Sequence, residues 1–82
     1  MNAIKQLPVW VCWNAVEVGD RVTKVPCAAR GGATGTSRDY AHTWVTYDEA
    51  VAAMRRHGNT GVGFSIPEGV FFIDRDHIDP ND

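Results

Sequence analysis

Apolar and polar positions alternate first over residues 9–16, Val-Trp-Val-Cys-Trp-Asn-Ala-Val, a run dense in β-branched and aromatic types that predicts a strand. Val9, Val11 and Trp13 share one face of it, and Trp10, Cys12 and Asn14 the other. Gly19-Asp20 reads as a turn, and residues 21–25 return as a second strand that Pro26 is expected to end. Residues 28–42 hold three glycines and few apolar side chains, which predicts a loop, long for so short a chain and of the kind that is functional or mobile. From Thr46 the period changes to that of a helix: Tyr47, Ala50, Val51 and Met54 form one apolar stripe, with Met54 as core filler. Thr46 and Glu49 fit a capping box. Asp48 and Glu49 at the start and Arg55, Arg56 and His57 at the end complement the helix dipole, and Gly58 supplies the left-handed stop. Two further β-rich runs, 61–66 and 70–76, flank Pro67-Glu68-Gly69 and predict an antiparallel hairpin. The order β-β-loop-α-β-β defines an α+β fold, one helix packed on a small antiparallel sheet.

At 82 residues the chain holds one small domain, 1–82, with a thin core. A hydrophobic content of 44% and a charged content of 22% are those of a globular protein, not a disordered tail. The net charge of −2 argues against a nucleic-acid coat or a polybasic membrane binder. Its distribution is uneven, with five basic against three acidic residues in 1–42 and three against seven in 43–82. Cys12 and Cys27 have neither zinc-site spacing nor the density of a disulfide scaffold, and Cys12 reads as a small buried hydrophobe. With no apolar stretch near 18 residues and no secretory leader pattern, the expectation is a cytoplasmic protein with reduced thiols and no membrane partner.

The most chemical stretch is Ile73-Asp74-Arg75-Asp76-His77-Ile78-Asp79. On a continuing strand Asp74 and Asp76 leave the same face, together with Val70 and Phe72, and His77 the opposite one. Two carboxylates so placed repel unless a cation sits between them, and oxygen-only ligation suits Mg²⁺ or Mn²⁺. A solvated polar strand end is the plainer account of the same residues. The basic residues of 21–38 (Arg21, Lys24, Arg30 and Arg38) are read either as a phosphate-wrapping loop or as solvated arginines on a surface loop. Trp10, Trp13 and Trp44 are read as core packing in preference to base-stacking platforms.

Taken together, Trp10-Val11-Cys12-Trp13, Lys24-Val25-Pro26-Cys27, Thr43-Trp44 with Thr46-Tyr47-Asp48-Glu49-Ala50, Gly61-Val62-Gly63-Phe64 and Ile73-Asp74-Arg75-Asp76-His77 resemble the N-terminal part of the primase-polymerases of phages and mobile elements, in the archaeo-eukaryotic primase superfamily. The resemblance spans nearly the whole chain. It implies nucleotidyl transfer with divalent metal, with Asp74 and Asp76 as metal ligands and nucleic acid and nucleotide triphosphates as partners of the full-length family. Lys24, Arg30, Arg38 and Arg75 are then the candidates for nucleotide or nucleic-acid phosphate. Cys27 stands where the family more usually has an aromatic, and Arg75 where it commonly has an apolar residue. The family's phosphate-contacting histidine and third acidic ligand lie downstream of the DxD motif. The expectation is therefore a fragment or remnant truncated just after DxD, binding Mg²⁺ or Mn²⁺ weakly or not at all and inactive alone. The alternative is a small standalone α+β binding or self-association module of a phage or mobile element, with an exposed strand that supports a homo-oligomer.

Overall fold

In the computed structural model, which describes residues 2–78, the chain folds into an α+β unit. The facing expected for the His77 side chain, and Asp79, fall outside the described residues. After a short helix α1 (Asn2–Lys5), the strands β1 (Trp10–Val18), β2 (Arg21–Cys27), β3 (Gly61–Ile66) and β4 (Gly69–Asp74) form one antiparallel sheet in the order β2-β1-β3-β4. Helix α2 (Tyr47–His57) packs across β1 and β3. Its first turn carries the expected capping box, with the Thr46 hydroxyl accepting from the Glu49 amide and the Glu49 carboxylate accepting from the Thr46 amide. Gly58, at φ 72°, ends it in the left-handed conformation that a side chain would oppose.

The core lies between α2 and one sheet face, where Trp10, Cys12, Val62 and Phe64 meet Ala50, Val51 and Met54. Met54 is fully buried, as the apolar stripe predicts, and so is Cys12. Trp10 stacks edge-on to Tyr47 at 4.8 Å and leans on Phe64 at 4.6 Å between ring centroids. All three tryptophans are buried, so they pack the domain and present no face for base stacking.

Strand ends differ from expectation by a residue or two, β1 running to Val18, and two of the differences bear on the site. Pro26 lies inside β2, opposite Trp13, and does not end it. The main-chain carbonyl of Trp13 accepts from the Thr60 amide on the β3 side, so the position facing Pro26 asks for no donor, and β2 is an edge strand. At the other edge β4 stops at Asp74, and Arg75–His77 form a 3₁₀ turn. The two-residue alternation expected to carry Asp74 and Asp76 off one strand face therefore does not hold. Asp74 pairs with Gly61, the first residue of β3, so the partner strand has run out. The Arg75 amide instead donates to the Thr60 carbonyl at 2.8 Å.

The 28–45 segment is held against the sheet. The Trp44 indole donates to the Gly35 carbonyl at 2.9 Å, the Ser65 hydroxyl to the Thr36 carbonyl at 2.8 Å, and Arg38–Thr43 form a 3₁₀ helix. Val45 then bridges Trp10 with two backbone hydrogen bonds, extending the sheet edge where β2 has ended. Among the described residues no helix is long and apolar enough to cross a membrane.

Candidate functional site: a cleft between the two edge strands

On the sheet face away from α2, Pro26, Trp13, Gly61 and Asp74 stand in one row across the four strands. Gly61 has no side chain, and the Trp13 indole lies across it. The indole N–H is shared between the carbonyls of Val62, at 3.1 Å, and Ile73, at 3.3 Å. An ideal Cβ at Gly61 would fall inside the Ile73 carbonyl oxygen and 2.8 Å from the indole nitrogen, so the close approach needs glycine. The Trp13 ring meets Phe72 edge-on at 5.8 Å. The Lys24 ammonium sits over both rings, 5.7 Å from the Trp13 centroid and 5.3 Å from that of Phe72.

Beside this row opens a cleft of about 760 Å³, lined by Trp13, Ala15, Val22, Thr23, Lys24, Gly58, Thr60, Asp74, Arg75 and Asp76. Although the strand alternation fails, the 3₁₀ turn still brings Asp76 to the same cleft as Asp74. Thr60 fixes the floor: its amide donates to the Trp13 carbonyl at 2.9 Å and its hydroxyl accepts from the Ala15 amide at 2.9 Å. Both aspartates are exposed, and among the described residues neither carboxylate is engaged in a hydrogen bond or ion pair. Two carboxylates, one ammonium and one guanidinium therefore share an open pocket.

Of the four basic residues expected at phosphates, the cleft gathers Lys24 and Arg75 only. Arg30 is 3.5 Å from Glu49 at the start of α2. Arg38 lines a separate hollow of about 260 Å³ with Leu7, Trp44 and Pro67. The hydrogen bonds from the Thr46 amide and hydroxyl, and then Arg30, hold the Glu49 carboxyl below its ordinary range.

The oxygen-donor pair fits a hard divalent ion by donor type and exposure. Among the described residues no third carboxylate, histidine or cysteine joins the pair in a metal-binding cluster. Water or phosphate oxygens would have to complete the shell. Sequence reasoning missed the scaffold (Trp13, Thr60 and Gly61) because its contacts join residues up to 60 positions apart. The one local signal is a glycine opening a strand, which often marks close backbone approach.

A small antiparallel α+β unit with a cleft of mixed charge between its two edge strands is the class that fold and site define. The chain is similar to a DNA primase-polymerase of Nitratiruptor phage NrS-1, 32% identical over 80 residues. The match covers 95% of this chain and 10% of that protein, so the chain spans about a tenth of its relative's length. The similarity supports a relationship to the primase-polymerases. No family model matches the chain.

Proposed function

We propose that this chain contributes part of the metal- and phosphate-handling surface of a DNA primase-polymerase, with Asp74 and Asp76 holding a divalent cation and Lys24 and Arg75 facing phosphate oxygens. The observation that supports this reading is the convergence of Lys24 from β2 with Asp74 and Asp76 from the end of β4 in one cleft. When bound, Mg²⁺ or Mn²⁺ would neutralise phosphate charge and lower the pKa of an attacking hydroxyl. The residues of the chain have simpler tasks. Asp74 and Asp76 supply anionic oxygens, Lys24 is a point charge steadied over two rings, and Arg75 offers a planar fork to phosphate. Two carboxylates hold Mg²⁺ weakly, because the ion dehydrates reluctantly and relies on substrate oxygens. The chain by itself is therefore not expected to extend a strand.

Mn²⁺ titration followed by amide NMR tests the reading. Paramagnetic broadening centred on Asp74 and Asp76, abolished by Asp74→Asn with Asp76→Asn, is the expected result. Absence of localised broadening at millimolar Mn²⁺ would remove the metal role from this chain. In that case a second reading, a self-association module, gains weight from the exposed Val18 and Val22 at the tip of the β1–β2 hairpin and from Val70 and Phe71 on the β4 edge. A monomer by light scattering at high concentration would dismiss that second reading in turn.

A further inference from the structure

Cys12 and Cys27 are direct cross-strand partners in the β1–β2 register, fifteen residues apart in sequence and side by side on the helix-facing side of the sheet. Trp10, two residues before Cys12, exchanges both main-chain hydrogen bonds with Val45 on the β2 side. Cys12 therefore turns its own main-chain groups toward Cys27, and the two form a hydrogen-bonded pair with a Cα separation of about 5.5 Å. That separation lies at the most common value for disulfides. Both thiols are free: the Cys12 thiol donates to the Ala50 carbonyl at 3.4 Å, and Cys27 Sγ accepts from the Asn14 side-chain Nδ2 at 3.3 Å. Cys12 is fully buried beneath α2, whereas Cys27 is only partly covered and can be reached from solvent.

We propose that Cys12 and Cys27 form a reversible cross-strand disulfide, a modification site in which Cys27 meets the oxidant and Cys12 resolves it. With a low-molecular-weight disulfide as oxidant, the Cys27 thiolate attacks one of its sulfurs. A mixed disulfide forms and one small thiolate leaves, taking up the proton given by Cys27. Cys12 then loses its proton to solvent and attacks Cys27 Sγ. The internal S–S bond forms and the second small thiolate departs, taking back from solvent the proton that Cys12 released, so the pair has lost two electrons and two protons and the oxidant has become two small thiols. Burial pushes the Cys12 thiol up to about 11, with the nearby Cys27 adding to the rise and Arg56 opposing it, so the second step is the slow one.

Hydrogen-bonded pairs hold their Cβ atoms farther apart than non-hydrogen-bonded pairs do, toward or beyond the long end of the disulfide range. The bond is accordingly strained and readily reduced, which marks it as regulatory and not structural. It would pin the base of the hairpin whose second strand carries Lys24 to the cleft.

The test treats the folded, reduced chain with oxidised glutathione and follows intact mass, then maps unreduced peptides. The wild type should lose two hydrogens in mass, link the Cys12 and Cys27 peptides, and regain both hydrogens with reduced glutathione. Cys12→Ser should stop at a glutathione adduct on Cys27, and Cys27→Ser should stay unmodified while folded. A wild type that accumulates the Cys27 adduct, or that links between chains, overturns the proposal. Because the wild type alone decides this, a failure of Cys12→Ser to fold leaves the test intact.

Discussion

Replacing Gly61 by alanine isolates the contact on which both the sheet and the cleft depend. The added methyl would enter the Ile73 carbonyl oxygen and lie 3.0 Å from the Ile73 carbonyl carbon and 2.8 Å from the Trp13 indole nitrogen. Overpacking a well-packed site costs about 1–3 kcal/mol, and occasionally more. Here two of the three nearest atoms are backbone of the paired strand, so relief requires opening the β3–β4 ladder or expelling the indole. We expect at least about 3 kcal/mol, the top of that range. An 82-residue domain has a total stability of roughly 4–12 kcal/mol, so the loss is a large share of it. At about 4–8 °C per kcal/mol, the melting temperature should fall by roughly 12–24 °C. Circular dichroism melts and urea titrations measure this directly. Gly35→Ala is the matched control. Its Cβ would also be crowded, 2.7 Å from a ring atom of Tyr40, but Tyr40 is exposed and can swing aside. The control should change stability by less than about 1 kcal/mol. A Gly61→Ala protein melting within about 2 °C of wild type would refute the reasoning, since the sheet would then have a cheap way to accommodate the methyl.

Three further outcomes follow from named contacts. Thr46→Ala removes the hydroxyl that caps α2 and should cost about 1 kcal/mol at neutral pH by chemical denaturation. The Thr46 amide, which the variant keeps, and then the Thr46 hydroxyl, which it loses, lower the Glu49 pKa. The stability lent by the hydroxyl bond to the carboxylate is present above the ordinary value of 4.5 and is lost as pH falls through the folded value, so the gap between Thr46→Ala and wild type should narrow on acidification. Cys12 has the opposite sign. Its folded pKa is raised from 9.0 to about 11, so stability is fully present below 9.0 and declines up to about 11, by roughly 2–3 kcal/mol in total, and Cys12→Ala should flatten that alkaline slope. Asp74→Asn should leave the denaturation midpoint unchanged or slightly raised, within about 0.5 kcal/mol, because the carboxylate is exposed and shares a cleft with Asp76. A marked loss would mean that Asp74 is structural.

What could be read from the sequence divides along the range of the interactions involved. Helix α2 is specified locally: its cap, its charges and its Gly58 stop all lie within a dozen residues, and each is found as expected. The β1–β2 hairpin is equally local, closing on Gly19-Asp20 with Val18 opposite Arg21. Pro26 was open to misreading because proline ends a strand only where its missing N–H is needed. That need depends on which way Trp13 faces, a fact about β3 and not about β2. The end of β4 at Asp74 is likewise set by where β3 begins, thirteen residues earlier. The aspartate pair was visible as a motif. Its sharing of a cleft with Lys24 was not, and neither was the departure of Arg30 to Glu49.

The cleft's opposite charges arrive on opposite edges of the sheet, Lys24 on β2 and Asp74 on β4, with two strands between them. Edge strands are secured by a ladder on one side only, so side-chain contacts carry more of their positioning. One aromatic bridge supplies those contacts at both ends. Trp13 binds the Ile73 carbonyl, one residue before Asp74, while its face and that of Phe72 seat the Lys24 ammonium. A change at Trp13 therefore moves cation and carboxylate together, which substituting either charge cannot do. Arg30 belongs to a different unit. Its contact is the Glu49 side chain at the start of α2, so neutralising it acts on the helix terminus and leaves the cleft as it was. A basic segment that looks continuous in sequence is thus divided by the fold: Lys24 is held by the sheet, Arg30 by the helix cap, and Arg38 lies at a third place beside Trp44.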